Sequence, residues 1–397
     1  NMLGVAGAVS NAGVMTLNGN TVALSDVSNS GTGAQMTISS LTETSGTVDI
    51  GGNVTNTGGA TTIWAKNVNI DGTVTNNSGT TEIRGSDMDG GAVSIGGINA
   101  LGGTVDLIAL AGSMSIDNDL IVSGGGVSID GGLRDLTVGG SVQISGDLNA
   151  GVDDTPVAGN VNVKVGDATP FVMSSDNAIL ISGDVNAVNA SAVSNLQLDA
   201  PVVNITGNAT VANKGYLTLG TQATSYVRVA QDLTFNENGT FETYANDLIV
   251  GTLSGDAKFI AHGANITANA GDIDVDGNIY FDVANDPAAP TSGMIVRDTT
   301  SLTLKTTADN ADINVGAVSV GGGNTLTFDA QDAVNIAGVV ANNGVLNLDA
   351  NGAVSVTGVT TNTGTVNVTA DNMAMGGVNN SGDVTIVSNT GMVDVDY

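Results

Sequence analysis

Two stretches, Val339-Val340-Ala341-Asn342-Asn343-Gly344-Val345-Leu346-Asn347-Leu348 and Val359-Thr360-Thr361-Asn362-Thr363-Gly364-Thr365-Val366-Asn367-Val368, are one pattern written twice, twenty residues apart. A fixed period of this length marks a solenoid, whose coils bury their apolar faces only by stacking on one another. The apolar pairs Leu326/Phe328, Leu346/Leu348, Val366/Val368 and Val384/Ile386 recur at steps of 20, 20 and 18. A second set, Val334/Ile336, Val354/Val356, Met373/Met375 and Val393/Val395, recurs at 20, 19 and 20. A third, Val320, Val339, Val359 and Val378, advances by 19, 20 and 19.

Three apolar segments per coil, separated by Gly and Asn, make the three walls of a prism. Within each pair the i, i+2 spacing turns both side chains inward and the residue between them toward water. The same grammar recurs early, in Val9-Ser10-Asn11-Ala12-Gly13, Val27-Ser28-Asn29-Ser30-Gly31, Val54-Thr55-Asn56-Thr57-Gly58 and Val74-Thr75-Asn76-Asn77-Ser78-Gly79. Val48/Ile50, Val68/Ile70, Val93/Ile95 and Met114/Ile116 follow it.

The expected fold is therefore all-β, a right-handed parallel β-helix or β-solenoid, with about 19–21 residues and three short strands per coil. Residues 1–397 read as a single continuous solenoid of roughly twenty coils, a rod on the order of 95 Å long. Between about 150 and 310 the period blurs, all five Pro fall there, and eight of the twelve aromatics lie between Tyr216 and Phe281. Loop-bearing or wider coils are expected in that region, with excursions at 151–159, 166–177 and 284–293.

Composition agrees. Val and Thr suit pleated surfaces, the 56 Gly with abundant Asn and Asp supply turns, and 41% hydrophobic residues are enough for a core. With 39 acidic against nine basic residues the net charge is −30, which repels polyphosphate and anionic lipid, so neither nucleic acid nor membrane insertion is expected. No Cys is present for disulfides or thiolate chemistry. No signal peptide or membrane-spanning run is visible, and a first residue of Asn suggests a processed or excised chain.

The Val-x-Asn-x-Gly unit followed by Val-x-Val resembles the repeats of filamentous haemagglutinin-like adhesins and related autotransporter passengers. That resemblance implies a right-handed parallel β-helix on a bacterial surface, working in attachment or matrix building. Two expected marks of that family, a secretion domain at the N-terminus and a membrane barrel at the C-terminus, are not visible in these residues.

Candidate functional residues fall into few groups. No polar cap is visible at either end of the pattern, so Val5, Val9, Met15, Leu17, Val393, Val395 and Tyr397 form an expected assembly interface for head-to-tail self-association. Asp272, Asp274 and Asp276, preceding Gly277, resemble the first half of a calcium loop, but Val283 stands where the bidentate Glu belongs. An ordinary strand with outward Asp is the competing reading, so no cofactor is required and calcium is a secondary expectation. Tyr216, Tyr226, Arg228, Tyr244 and Lys258, with Phe241 and Phe259, form a candidate contact surface. The competing reading is aromatic packing in a wider coil.

The Asn at coil corners is expected outward, in ladders that bond along the stack. Several of these asparagines, including Asn53, Asn204, Asn208 and Asn265, also start Asn-x-Thr acceptor sequences for glycosylation. His262, the single histidine, has no recognisable nucleophile beside it, and Trp64 reads as packing. Function follows as an expectation: an extracellular, non-enzymatic subunit of a surface filament or matrix, partnered by itself. A monomeric adhesin binding a cell-surface glycan is the second reading. A polysaccharide lyase or hydrolase is a distant third, and a Thr ladder regular enough for ice binding is missing.

Overall fold

The computed structural model describes all residues except 43, 86–90, 109–112, 130–134, 151–160, 164–170, 189–194, 221–225, 264, 282–291 and 396–397. The chain divides into two compact units, residues 1–205 and 206–397. Both are parallel β-solenoids, together holding about 15 turns, and no helix occurs among the described residues.

In the first unit one wall stacks Met2–Val5, Thr21–Leu24, Thr47–Ile50 and the start of Asn67–Asn76. The next stacks Val9–Asn11, Val27–Asn29, Val54–Asn56 and the end of that same strand. The third stacks Val14–Gly19, Gln35–Ser40, Ala60–Trp64 and Thr80–Arg84. In the second unit the regular walls are Thr325–Ala330, Val345–Ala350, Thr365–Ala370 and Asp383–Ser388; Val334–Ile336, Ala353–Val356, Asn372–Met375 and Val393–Val395; and Val318–Val320, Val340–Asn342, Thr360–Asn362 and Val378–Asn380. The first two apolar series stack in the register that their spacing implies.

In the third series Val320 is buried and Val378 is half-buried in register with Thr360, but the two middle members are one residue out. Val339 and Val359 are 57% and 43% exposed, and the inward residues of their strands are Val340, Asn342, Thr360 and Asn362. Because side chains alternate across a strand, a one-residue slip changes the face of every residue. The corner asparagines are thereby corrected from outward to inward. Asn29, Asn56, Asn76, Asn342 and Asn362 are all fully buried.

These amides are tolerated inside because each coil satisfies the one before it. Asn362 Nδ2 donates to Asn380 Oδ1 (2.8 Å) and to the Asp383 carbonyl (3.0 Å). Its Oδ1 accepts from Asn342 Nδ2 (2.8 Å) and from the Gly364 N–H (3.1 Å). Asn11 to Asn29 and Asn56 to Asn76 repeat the arrangement at 2.9 and 3.0 Å.

A different corner gives some of the acidic side chains a structural role. Asp26, Asp119 and Asp147 each accept, through Oδ1, a backbone N–H of the following coil, from Asn53, Ser141 and Asp184. Asp312 does the same for Ala333. A short acceptor at a corner thus supplies a hydrogen bond where the strand ladder breaks. Glycine is required where coils approach most closely: Gly79 has φ +79°, and a Cβ there would lie 2.0 Å from the Gly59 carbonyl oxygen.

The turns number about 15 rather than roughly twenty because many coils are longer than the repeat period. Asn149 and Asn186, 37 residues apart, occupy successive rungs. Two of the expected excursions involve strands. Of 166–177, residues 166–170 lie outside the described residues, but Phe171–Ser175 stacks on Asp135–Val138. Of 284–293, residues 284–291 lie outside them, and Gly293 begins the strand Gly293–Val296. The excursion at 151–159 lies wholly outside them.

After two of these segments the chain steps back one rung. Val161–Val163 sits between Gly126–Ile129 and the earlier Leu148–Ala150. Likewise Gly293–Val296 sits between Lys258–Ala261 and the earlier Ile279–Phe281. Each places a later strand beneath an earlier one in the same wall.

Candidate functional site

In the second unit, Tyr216–Leu219, Thr240–Thr243, Lys258–Ala261 and the inserted Gly293–Val296 are successive rungs of one wall. Two of its inward positions are aromatic: Phe241 packs edge-on against Phe259 at 5.0 Å, and Phe235, from the strand Tyr226–Phe235, is tilted against Phe259 at 5.6 Å. Phe241 and Phe259 therefore belong to the core, not to a contact surface.

The outward face is unusual for this chain. Ile260 and Ile295 have outward register yet are buried, as is Thr218. Glu242 shares their rank. One residue past the strand ends come Tyr244, His262 and Arg297, in consecutive coils, tied by His262 N–H to the Thr243 carbonyl and Arg297 N–H to the Ala261 carbonyl.

Their side chains converge. The imidazole of His262 lies flat on the Tyr244 ring, centroids 4.0 Å apart and planes 8° from parallel. Its Nε2 meets Glu242 Oε1 at 2.9 Å and its Nδ1 meets Asp298 Oδ2 at 2.7 Å. Tyr244 donates its hydroxyl to Glu242 Oε1 (3.3 Å), and Tyr216 donates to Glu242 Oε2. The Arg297 Nε is buried without a hydrogen-bond partner.

Exposure is graded across the network. The side chains of His262 and Glu242 are 8% and 12% exposed, and that of Asp298 is 74% exposed. Burial disfavours the Glu242 charge, but hydrogen bonds from His262 and Tyr216, the His262 charge and the Tyr244 hydroxyl outweigh it and hold the carboxyl below its ordinary range. Burial also disfavours the His262 charge, yet its bonds to Glu242 and Asp298 and their charges push it above the ordinary histidine value. Tyr216 is raised by burial, the Glu242 hydrogen bond and the Glu242 charge. Burial and the Glu242 charge raise Tyr244 too.

Of the expected contact surface, Tyr216 and Tyr244 join this network, and Lys258 lies in the rank of Tyr216 and Thr240. Tyr226 and Arg228 sit on a different wall, paired with Asp247 and Ile249. Glu242, Arg297 and Asp298 carry no sequence signal, because Glu242 and Asp298 are 56 positions apart and only coil stacking brings them together. His262 was visible as the single histidine; its partners were not.

Asp272, Asp274 and Asp276 alternate with buried Ile273 and Val275 and are all exposed. Asp272 Oδ1 accepts the Asp312 N–H at 2.8 Å, the corner bond seen elsewhere. Burial and the charges of Asp276 and Asp272 raise the Asp274 carboxyl. Among the described residues no three His, Asp or Glu side chains are placed to hold a metal ion. The Asn-x-Thr asparagines are engaged in part: Asn53 and Asn208 accept backbone N–H groups, and Asn265 donates to Asp247.

Val5, Met15 and Leu17 are half-buried and Val9 is buried, at one edge of the first unit. At one edge of the second, Val384 and Ile386 are half-buried where Val366 and Val368, one coil away, are buried. Val393 is exposed and Val395 half-buried, while Tyr397 lies outside the described residues.

No family model, curated protein or solved structure matches the chain.

Proposed function

We propose that the chain is an extracellular structural protein, a subunit of a surface filament or matrix in which β-solenoids stack head to tail. The observation that supports this reading is how the outward and corner polar groups are used. Many Asn side chains and several Asp side chains are committed to rungs, as in Asn347 to Thr327, Asn367 to Asn347 and Asp26 to Asn53. A surface built this way repeats itself and suits lattice-like self-contact better than recognition of one small substrate. Among the described residues the strands of Val384 and Val393 pair on one side and carry half-exposed core, a surface that the next coil of a solenoid covers. That coil is supplied, in this proposal, by a second copy.

The function resembles that implied by filamentous haemagglutinin-like passengers, and it requires no enzymatic activity or cofactor. Negative-stain electron microscopy and light scattering of the intact chain across a concentration series test it. Fibres of uniform width are expected, and a Val393→Asp variant is expected to shorten them. A monodisperse single-chain species at every concentration would overturn the filament. It would favour the second reading, an adhesin whose glycan contact lies on the Tyr216, Tyr244 and Lys258 face.

A further inference from the structure

The position of His262 is hard to explain as packing. Both of its ring nitrogens face carboxylate oxygens at hydrogen-bond distance, 2.9 Å to Glu242 and 2.7 Å to Asp298. A neutral imidazole has one N–H and one lone pair. In either tautomer one nitrogen would point its lone pair at a carboxylate, so only the imidazolium satisfies both contacts. Tyr244, stacked face to face with the ring, adds an electron-rich surface that favours the cation.

The two carboxylates are not equivalent. Glu242 is buried and receives two tyrosine hydroxyls besides the histidine. Asp298 is largely exposed, sits in the corner that follows the inserted strand Gly293–Val296, and adopts φ +58°, a left-handed conformation that costs a non-glycine residue energy. When one proton is lost, the bond to Glu242 is kept and the bond to Asp298 is the one released.

We propose that His262 is a pH-operated latch: as an imidazolium it ties the corner at Arg297 and Asp298 to Glu242, and deprotonation frees that corner. The groups facing His262 are Glu242 and Tyr244 from the coil on one side, with Tyr216 acting through Glu242, and Arg297 and Asp298 from the coil on the other. Lys258 is on its own strand. The raised histidine value and lowered Glu242 value agree with this charge state. A group whose folded pKa is raised contributes fully below its unfolded pKa, about 6.5 for histidine, and its contribution is lost as pH rises through the folded value. The latch is therefore closed at pH values below that of a free histidine and opens as pH rises through the raised folded value.

With one histidine in the chain, the imidazole signals of the intact protein can be assigned directly by NMR. The expected result is a ring protonated at both nitrogens at pH 6, with a midpoint above that of a free histidine. Amide exchange at Arg297 and Asp298, corrected for its intrinsic pH dependence, is expected to rise by up to about tenfold per pH unit between the free-histidine value and the midpoint, and to level off above it. Asp298→Asn, an exposed change compatible with folding, is expected to lower the midpoint and abolish the pH step in exchange. His262→Gln is expected to keep the corner open at every pH. A midpoint at or below that of free histidine would overturn the proposal. So would corner exchange without a pH step, or a step of equal size in Asp298→Asn.

Discussion

The buried asparagines are the residues on which the coils most depend. Asn362 makes bonds to two neighbouring coils and to its own turn, so truncating it removes its bonds to Asn342 Nδ2, Asn380 Oδ1, the Asp383 carbonyl and the Gly364 N–H at once, while Asn342 Nδ2 keeps the Thr365 carbonyl and Asn380 Oδ1 keeps the Gly382 N–H. Each hydrogen bond lost costs about 0.5–1.5 kcal/mol. Asn362→Ala is therefore expected to destabilise by about 2–4 kcal/mol in urea titration. Asn335→Ala, which removes a half-buried outward bond to Asn314, is expected to cost about 1 kcal/mol or less. Equal losses in the two variants would remove the argument for an internal ladder.

A second residue-scale prediction concerns Asp106, stacked in register on Glu82 in the first unit. Burial, then repulsion from Glu82, pushes its carboxyl up to about 6. The unfolded value is about 3.9, so between about 4 and about 6 the folded state binds the extra proton and stability falls as pH rises. Asp106→Asn is expected to raise the melting temperature at pH 7 and to flatten the dependence across that window. An unchanged melting curve at pH 7 would show that the pair is relaxed by solvent. Because Asp106 keeps substantial exposure, the expected gain is small.

At the scale of elements, the back-stepping strands are the feature that departs most from a plain coil. Gly293–Val296 is buried at every position, including Ile295, whose register turns it outward. That strand therefore carries apolar surface on both faces, as strands covered on both sides do. Ile295→Asp would bury an unpaired carboxylate and is expected to destabilise by about 3–5 kcal/mol. Thr303→Asp, at a half-buried outward position of Ser301–Thr306, is expected to stay within about 0.5 kcal/mol of the parent. Denaturant titration of both variants checks the contrast, and a mild effect of Ile295→Asp would mean the outward face is wet.

For the molecule as a whole, a net charge of −30 opposes the self-association proposed above. Charge repulsion between copies reaches roughly 30 Å at 0.01 M salt and about 8 Å at physiological ionic strength. Fibres are therefore expected to lengthen with salt, which light scattering measures directly. Dissociation by salt would indicate that complementary charge, not strand pairing and apolar stacking, holds any assembly together. Asp26, Asp119, Asp147, Asp272 and Asp312 are corner acceptors for backbone N–H groups, so a small share of the charge is a consequence of how the coil turns.

What the sequence by itself determined was the solenoid, its parallel in-register walls and most of its core. Those follow from local rules, a period near twenty and an i, i+2 alternation, that any single coil obeys. The inward asparagines are also legible, since Val340 and Asn342 share a face by the same alternation, but their polarity argues for the outside, and Val339 and Val359 lie one residue ahead of the inward positions. Only the tertiary structure decided the two inserted strands and the Glu242, His262 and Asp298 network. A strand that steps back a rung has the same local pattern as one that climbs. Residues in neighbouring coils meet because coil lengths vary, and the sum of those lengths, not any motif, sets which side chain faces which.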